Sequence, residues 1–128
     1  MAEEPLVNDD IDAAGKLVEF LDTHGFPVKA ALWLYQSDMD KWRFLVAFQE
    51  QRKDITSFYL DVANKLHSDK ERESILDLSR VDIVRSDDQP IGALSSMVRV
   101  EGGGRVRFKN NRLNGVYVED ALIYRLSA

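Results

Sequence analysis

Two apolar runs over residues 30–48 flank a polar segment at residues 36–41. Side chains alternate along a strand, so Leu32 and Leu34 point to one side and Trp33 and Tyr35 to the other. In the second run, Trp42, Phe44, Val46 and Phe48 share one face, opposite Arg43, Leu45 and Ala47. Neither strand has a purely polar face. The pattern therefore predicts a β-hairpin in the middle of a sheet that is covered on at least part of both sides.

Two amphipathic helices are predicted around this hairpin, at about residues 10–24 and 54–67, because their apolar residues recur at helical spacing. Asn8, Asp9 and Asp10 offer N-caps for the first helix, and Asp54 offers one for the second. Gly25 followed by Pro27 is typical of a helix end, since glycine accepts the left-handed conformation and proline prevents continuation.

The remaining chain predicts a third strand at residues 78–85, a short helix at about 90–97, and β structure from residue 98 onward. Extended chain is the alternative for 90–97, because Gly92 and the serine pair Ser95–Ser96 weaken a helix. Residues 98–101 and 105–108 alternate around three glycines, which predicts a second hairpin. A last strand follows at residues 116–126, with a bulge or bend at Glu119–Asp120.

The predicted order is α-β-β-α-β-α-β-β-β, in one domain over residues 1–128 with a loose tail at residues 1–8. Hairpins dominate this order. We therefore expect an α+β fold with a mixed or mainly antiparallel sheet, built from hairpins and covered by two or three helices.

Composition excludes several classes of protein. The chain of 128 residues fits one domain and contains no cysteine, so it has no disulfide scaffold, thiolate zinc site or cysteine nucleophile. No apolar run approaches the roughly 18 residues of a membrane span. The acidic N-terminus lacks the basic region of a secretory signal. These features favour the cytoplasm and no membrane partner.

Charge is unevenly distributed along the chain. The net charge is −5, yet residues 99–128 carry six basic and three acidic residues, so the rest of the chain holds −8. An acidic body with a basic end is not typical of a general polyanion binder. The distribution leaves room for one local basic face and for a basic partner of the acidic part.

The C-terminal segment Gly115-Val116-Tyr117-Val118-Glu119-Asp120-Ala121-Leu122-Ile123-Tyr124-Arg125-Leu126 resembles the ending of a family of small, uncharacterised bacterial proteins. The segment from Pro27 to Trp33, followed by Trp42-Arg43, is similar to that family's other signature. The likeness spans most of the chain from the first helix onward. It implies a bacterial, single-domain protein, and it implies no activity because none is established for the family.

Candidates for catalysis are few. His24 and His67 both lie at predicted helix C-termini, where a cation is favoured by the helix dipole and no active site is needed. Asp82 with Glu119 or Asp120 would form a nuclease-like metal site if the strands brought them together, but nothing in their spacing requires it. Residues 102–104 lack the lysine and serine or threonine of a phosphate-binding loop. The sequence thus indicates no catalytic residue, cofactor or metal.

A basic face is the sharpest positive feature of the sequence. If the alternation holds, Arg99, Arg105, Arg107 and Lys109 point to one face of two adjacent strands, with Arg112 nearby. Such a ribbon follows a phosphate backbone, with Tyr117 or Tyr124 stacking on bases. A solvated face, a guarded edge strand and a site for an acidic protein partner are the alternative interpretations.

Trp33, Tyr35 and Trp42 form a second candidate surface, because grouped exposed aromatic residues are typical of interfaces. Packing in the core is the alternative. We expect a small non-enzymatic protein-interaction or regulatory domain that binds a protein partner or a second copy of itself. A nucleic-acid-binding accessory protein using the basic ribbon is the second hypothesis, and a metal-dependent hydrolase is the third.

Overall fold

The computed structural model describes residues 6–88, 91–96, 98–101, 105–113 and 115–127. Within these ranges lie three helices, α1 (Asn8–Thr23), α2 (Thr56–His67) and α3 (Ile91–Ser95), and five strands, β1 (Val28–Gln36), β2 (Lys41–Phe48), β3 (Val81–Ile83), β4 (Val106–Leu113) and β5 (Val116–Leu126). Short 3₁₀ turns lie at Arg72–Ser74 and Leu78–Arg80. None of the helices in these ranges is long and apolar enough to cross a membrane.

The five strands form one mixed sheet in the order β3-β2-β1-β5-β4. β1 and β2 are the predicted hairpin, with Trp33 opposite Phe44, and β1 pairs with β5 on its other side. β3 runs parallel to β2, and all other pairs are antiparallel. The α+β class, the mainly antiparallel sheet and the central position of the first hairpin are confirmed.

Both faces of the sheet are covered, as the apolar content of β1 and β2 predicts. Trp33, Phe44 and Val46 pack on one face against α1 and α2, and we name this the helix face. Leu32, Leu45 and Ala47 pack on the opposite face, where α3 contributes Ile91 and Leu94. The hairpin is therefore buried because each strand has apolar residues at both parities.

The end of α1 follows the predicted glycine mechanism. Gly25 has a φ of 90°, and the backbone N–H of Phe26 donates to the carbonyl of Leu21 at 2.9 Å. The helix begins at Asn8, within the predicted tail, and Val7 is its N-cap without a side-chain hydrogen bond. The predicted capping role of Asn8, Asp9 and Asp10 is therefore wrong, although Asp9 and Asp10 lie in the first turn, where the helix dipole favours negative charge.

The second hairpin differs from its prediction. Val100 forms an antiparallel bridge with Leu126, and Val106 pairs with Ile123, so both segments lie in succession along β5 instead of facing each other. The long strand β5 offers an edge to both, and that edge outweighs the local glycine signal. Gly102, Gly103 and Gly104 lie outside the described residues.

Three other boundaries are refined by the structure. Leu78–Arg80 form a 3₁₀ turn, because the Asp77 carboxylate accepts from the N–H of Ser79, and β3 is accordingly only three residues long. The short helix α3 is present, although Pro90 and Met97 lie outside the described part of the chain. The pairing of β4 with β5 is interrupted at Asn110 of β4, which has a φ of 50°, and at Glu119 of β5. This interruption lies near the predicted bend.

Tyr124 ties α1 to the sheet. Its hydroxyl accepts from the indole N–H of Trp33 at 3.2 Å and donates to the carbonyl of Ile11 at 2.6 Å. One hydroxyl thus pairs the buried indole N–H of β1 with a partly buried carbonyl of α1. Burial raises the pKa of Tyr124 to about 12, from an ordinary value of 10.0.

We predict that Tyr124→Phe lowers the free energy of unfolding at pH 7 by about 2 kcal/mol, because the buried indole N–H of Trp33 loses its acceptor and the Ile11 carbonyl loses a donor. Urea unfolding, monitored by tryptophan fluorescence, measures this free energy. Tyr117→Phe is the matched control, since Tyr117 is 52% exposed, and its effect stays within about 0.5 kcal/mol.

The same pair of variants gives an alkaline readout. The folded chain holds the Tyr124 proton to a higher pH than the unfolded chain does, so this residue's contribution to stability is lost as pH rises from about 10 to about 12. Tyr124→Phe removes that part of the decline and Tyr117→Phe retains it. Parallel alkaline profiles for the two variants would contradict the buried role of Tyr124.

Candidate functional site

The two edge strands of the sheet, β3 and β4, differ in length, and a side chain caps the backbone of β3. At the β3 edge, the Tyr59 hydroxyl of α2 donates to the carbonyl of Val81 at 2.9 Å and accepts from the N–H of Ile83 at 2.8 Å. That edge is short and capped by a side chain, which is one way in which proteins protect edge strands. At the opposite end, β4 is eight residues long and is the last strand of the sheet.

Arg105 begins the basic side of β4. Its guanidinium lies over the Tyr124 ring, 5.0 Å from the centroid. A Cβ placed on Gly15 of α1 would stand 2.9 Å from an Arg105 nitrogen, so the missing side chain at Gly15 makes room for this arginine. A glycine in the middle of α1 therefore lets the Arg105 side chain, just before β4, approach the helix.

Arg107 and Asp120 form the central contact of this edge. Arg107 donates two hydrogen bonds to the Asp120 carboxylate, at 2.5 Å and 2.6 Å, and lies 5.5 Å from the centroid of the Trp42 ring. The Asp120 side chain is completely buried, whereas that of Arg107 is 42% exposed. Lys109 lies 3.9 Å from the same carboxylate. A paired, fork-shaped contact of this kind is the arrangement that makes a buried carboxylate tolerable.

Beyond Asp120 the sheet narrows to two strands. Asp120 is the last β5 residue paired with β1, through Tyr35, so residues 116–118 pair with β4 alone. We name residues 110–113 and 116–119 the arm. Glu119 fixes its base, accepting from the N–H and the hydroxyl of Ser37 at 3.2 and 2.8 Å. Arg112 lies 5.9 Å from the Tyr117 ring centroid on the arm's surface.

The structure brings together part of the predicted basic face. Arg105, Arg107 and Lys109 occupy alternate positions and all contact groups on the helix face of the sheet. Arg112 lies further along, on the arm. Arg99 precedes Val100, away from β4, and lies 3.9 Å from Glu101. The predicted basic face therefore consists of Arg105, Arg107 and Lys109, without Arg99 and Arg112.

The candidate aromatic surface is mostly core. Trp33 and Tyr35 are buried, so the interpretation of these two as interface residues is corrected. Trp42 is partly buried and packs 5.5 Å from Tyr35, ring centroid to ring centroid. Strand β1 lies between β2 and β5, and this central position buries both of its faces.

The candidate metal ligands are far apart. Asp82 lies on β3 and receives a hydrogen bond from Arg43 at 2.6 Å, whereas Asp120 lies three strands away, a separation of about 14 Å. Glu119 is occupied by Ser37. The part of the chain that the structure describes contains no group of three or more histidine or acidic residues able to hold a metal ion.

The histidines and a groove beside α2 provide no catalytic arrangement among the described residues. His24 follows α1 and its Nδ1 lies 2.8 Å from the Phe20 carbonyl, and His67 ends α2, as predicted. A groove of about 460 Å³ lies between α2 and the 3₁₀ turns. Two polar side chains that line the groove bind backbone groups. Arg72 donates to the His67 carbonyl, and the Asp77 carboxylate accepts from the backbone N–H of Ser79, which lowers the pKa of Asp77.

Sequence analysis missed three features of this site. The Asp120 partner of Arg107, the Tyr59 cap on β3 and the gap at Gly15 all join residues distant in sequence. A usable signal existed for Asp120, since an acidic residue inside the apolar run of β5 needs a buried cation or a bend.

Comparison with family models, with curated proteins and with solved structures found no match. The resemblance to small bacterial proteins stays a prediction. The proposals below therefore depend on the geometry of this chain.

We predict that Asp120→Asn lowers the free energy of unfolding by about 2–3 kcal/mol, because Arg107 loses its carboxylate at a buried position. Chemical unfolding measures it. The matched control is Asp82→Asn, which removes an aspartate–arginine pair of similar length at a site where Asp82 is 44% exposed. We expect Asp82→Asn to lower the free energy of unfolding by at most about 1 kcal/mol. Equal losses in the two variants would show that burial of Asp120 has no special weight.

Proposed function

We propose that this chain is a small non-enzymatic interaction domain that takes a strand of a protein partner along the outer edge of β4. One observation carries the proposal: β4 is a long edge strand, whereas the opposite edge is short and capped by Tyr59. A row of outward N–H and C=O groups is a template for an added strand.

Three contacts support a rigid edge. Arg107 binds the buried Asp120, Arg105 lies against α1 and Tyr124, and Glu119 fixes the base of the arm to Ser37. An edge held in place before binding loses less conformational entropy when a partner strand is added. The lack of cysteine suits a reducing cytoplasm, and we propose that the interaction takes place there.

Binding of nucleic acid by the arm is the second candidate, favoured by Arg112 beside the half-exposed Tyr117 ring. A basic residue next to an exposed aromatic ring is a common arrangement for holding single strands. The shortened row of cations and the net charge of −5 favour the protein partner.

We predict that affinity capture from lysate of the cell of origin retains a protein, that nuclease treatment does not release it, and that proline in β4 abolishes capture. Val106→Pro and Lys109→Pro are three residues apart, so one removes an outward N–H and the other a bond to β5. The variant that keeps the unfolding free energy of the native chain identifies the outward position.

The control for capture is Lys65→Gln, which changes charge on the exposed side of α2. Loss of the partner in the stable proline variant, with capture intact in Lys65→Gln, is the expected result. A partner that survives the stable proline variant, or a captured species that is nucleic acid, would contradict the proposal.

A further inference from the structure

From the charges along β4 we infer that the partner strand is acidic, with glutamate or aspartate at every second residue; this inference rests on the proposed function. Arg105, Arg107 and Lys109 lie at alternate positions and contact the helix face, about 7 Å apart along the strand. A strand added beside them presents its own alternate side chains to that face at the same interval.

The charges that residues 105–109 contribute to this face are all positive. Arg107 and Lys109 share the buried carboxylate of Asp120, and Arg105 lies over the Tyr124 ring, while Glu119 is bound to Ser37. The side chains of Arg107 and Lys109 remain 42% and 60% exposed. Opposite charges directly across two strands are stabilising, so carboxylates on the incoming strand complement this face.

The side chains on the other face of β4 determine which residues of the partner strand alternate with its acidic residues. Phe108 points away from the helix face and packs, partly buried, against the core cluster that contains Val118 and Ala121. Val106 is 36% exposed. Apolar or β-branched residues on the incoming strand extend this cluster, so the partner alternates acidic residues with residues such as valine or threonine.

A second copy of this chain does not fit the same edge. β4 contains Arg107, Lys109 and Arg112 and no acidic residue. Antiparallel pairing of residues 106–113 with their own copy places Arg107 opposite Arg112 twice, and like charges directly opposite one another are destabilising. The expectation of a homo-oligomer therefore does not extend to this edge.

A nucleic acid fits the edge less well than a peptide. The edge of a strand presents N–H donors and C=O acceptors in alternation. Phosphate oxygens accept hydrogen bonds and donate none, so they leave the carbonyl groups of the edge without partners. A polypeptide strand satisfies both kinds of group along its whole length.

The test is titration of the full chain with an eight-residue peptide alternating glutamate with valine and threonine, followed by backbone amide NMR shifts. We expect shifts along β4 and binding at least tenfold tighter than that of the matched glutamine peptide. We expect Lys109→Gln to weaken binding about fivefold, and Lys65→Gln, the same change on α2, to leave it unaltered.

Two outcomes would overturn the inference: equal affinity for the glutamate and glutamine peptides, or displacement of the peptide by a single-stranded DNA decamer that binds more tightly. Failure here is distinguishable from failure of the proposed function. If the native chain captures a protein through the β4 edge while the glutamate peptide has no advantage, the edge binds a partner of different charge and the acidic assignment alone is wrong.

Discussion

The structure depends most on the burial of the Asp120 carboxylate. A buried charge is costly unless an opposite charge and hydrogen bonds accompany it, and here Arg107 supplies both in a paired contact. Arg107 belongs to β4, at the margin of the sheet, whereas Asp120 pairs with Tyr35 of the central strand. Displacing β4 would take the paired Arg107 contact away from the carboxylate. The outermost strand is thereby bound to the core.

Around this contact, the sheet is built from the inside outward. The hairpin of β1 and β2 has apolar residues on both faces, so α1 and α2 cover one face and α3 covers part of the other. Tyr124 joins α1 to this hairpin through Trp33 and Ile11. Coverage from both sides leaves the two edges as the places where backbone groups remain open, and Tyr59 caps one of them.

Sequence patterns predicted the structural features that depend on interactions between residues close together in the sequence. The two apolar runs that contain Trp33 and Phe44 were sufficient for the central hairpin, and Gly25 with Pro27 for the end of α1, because each depends on neighbouring residues. The alternation of Arg105, Arg107 and Lys109 likewise predicted a shared face.

Features that depend on strand order were not predictable in this way. The Arg107–Asp120 pair requires β4 beside β5, and the burial of Tyr35 requires β1 between β2 and β5. Val100 follows the same rule, since the long edge of β5 competes with the local glycine turn. Tyr59 lies on the apolar side of α2, where a hydrophobicity pattern cannot distinguish a core residue from one whose hydroxyl caps a strand.

Amide hydrogen exchange along β4, resolved by NMR in the isolated chain, tests the central claim most directly. A rigid edge strand with an open outer side has alternating behaviour: amides bonded to β5 are protected, and those between them exchange quickly. We expect that alternation over residues 106–109. Rapid exchange at every position would show that Asp120 does not hold β4 in place, and uniform protection would show that the outer edge is already covered.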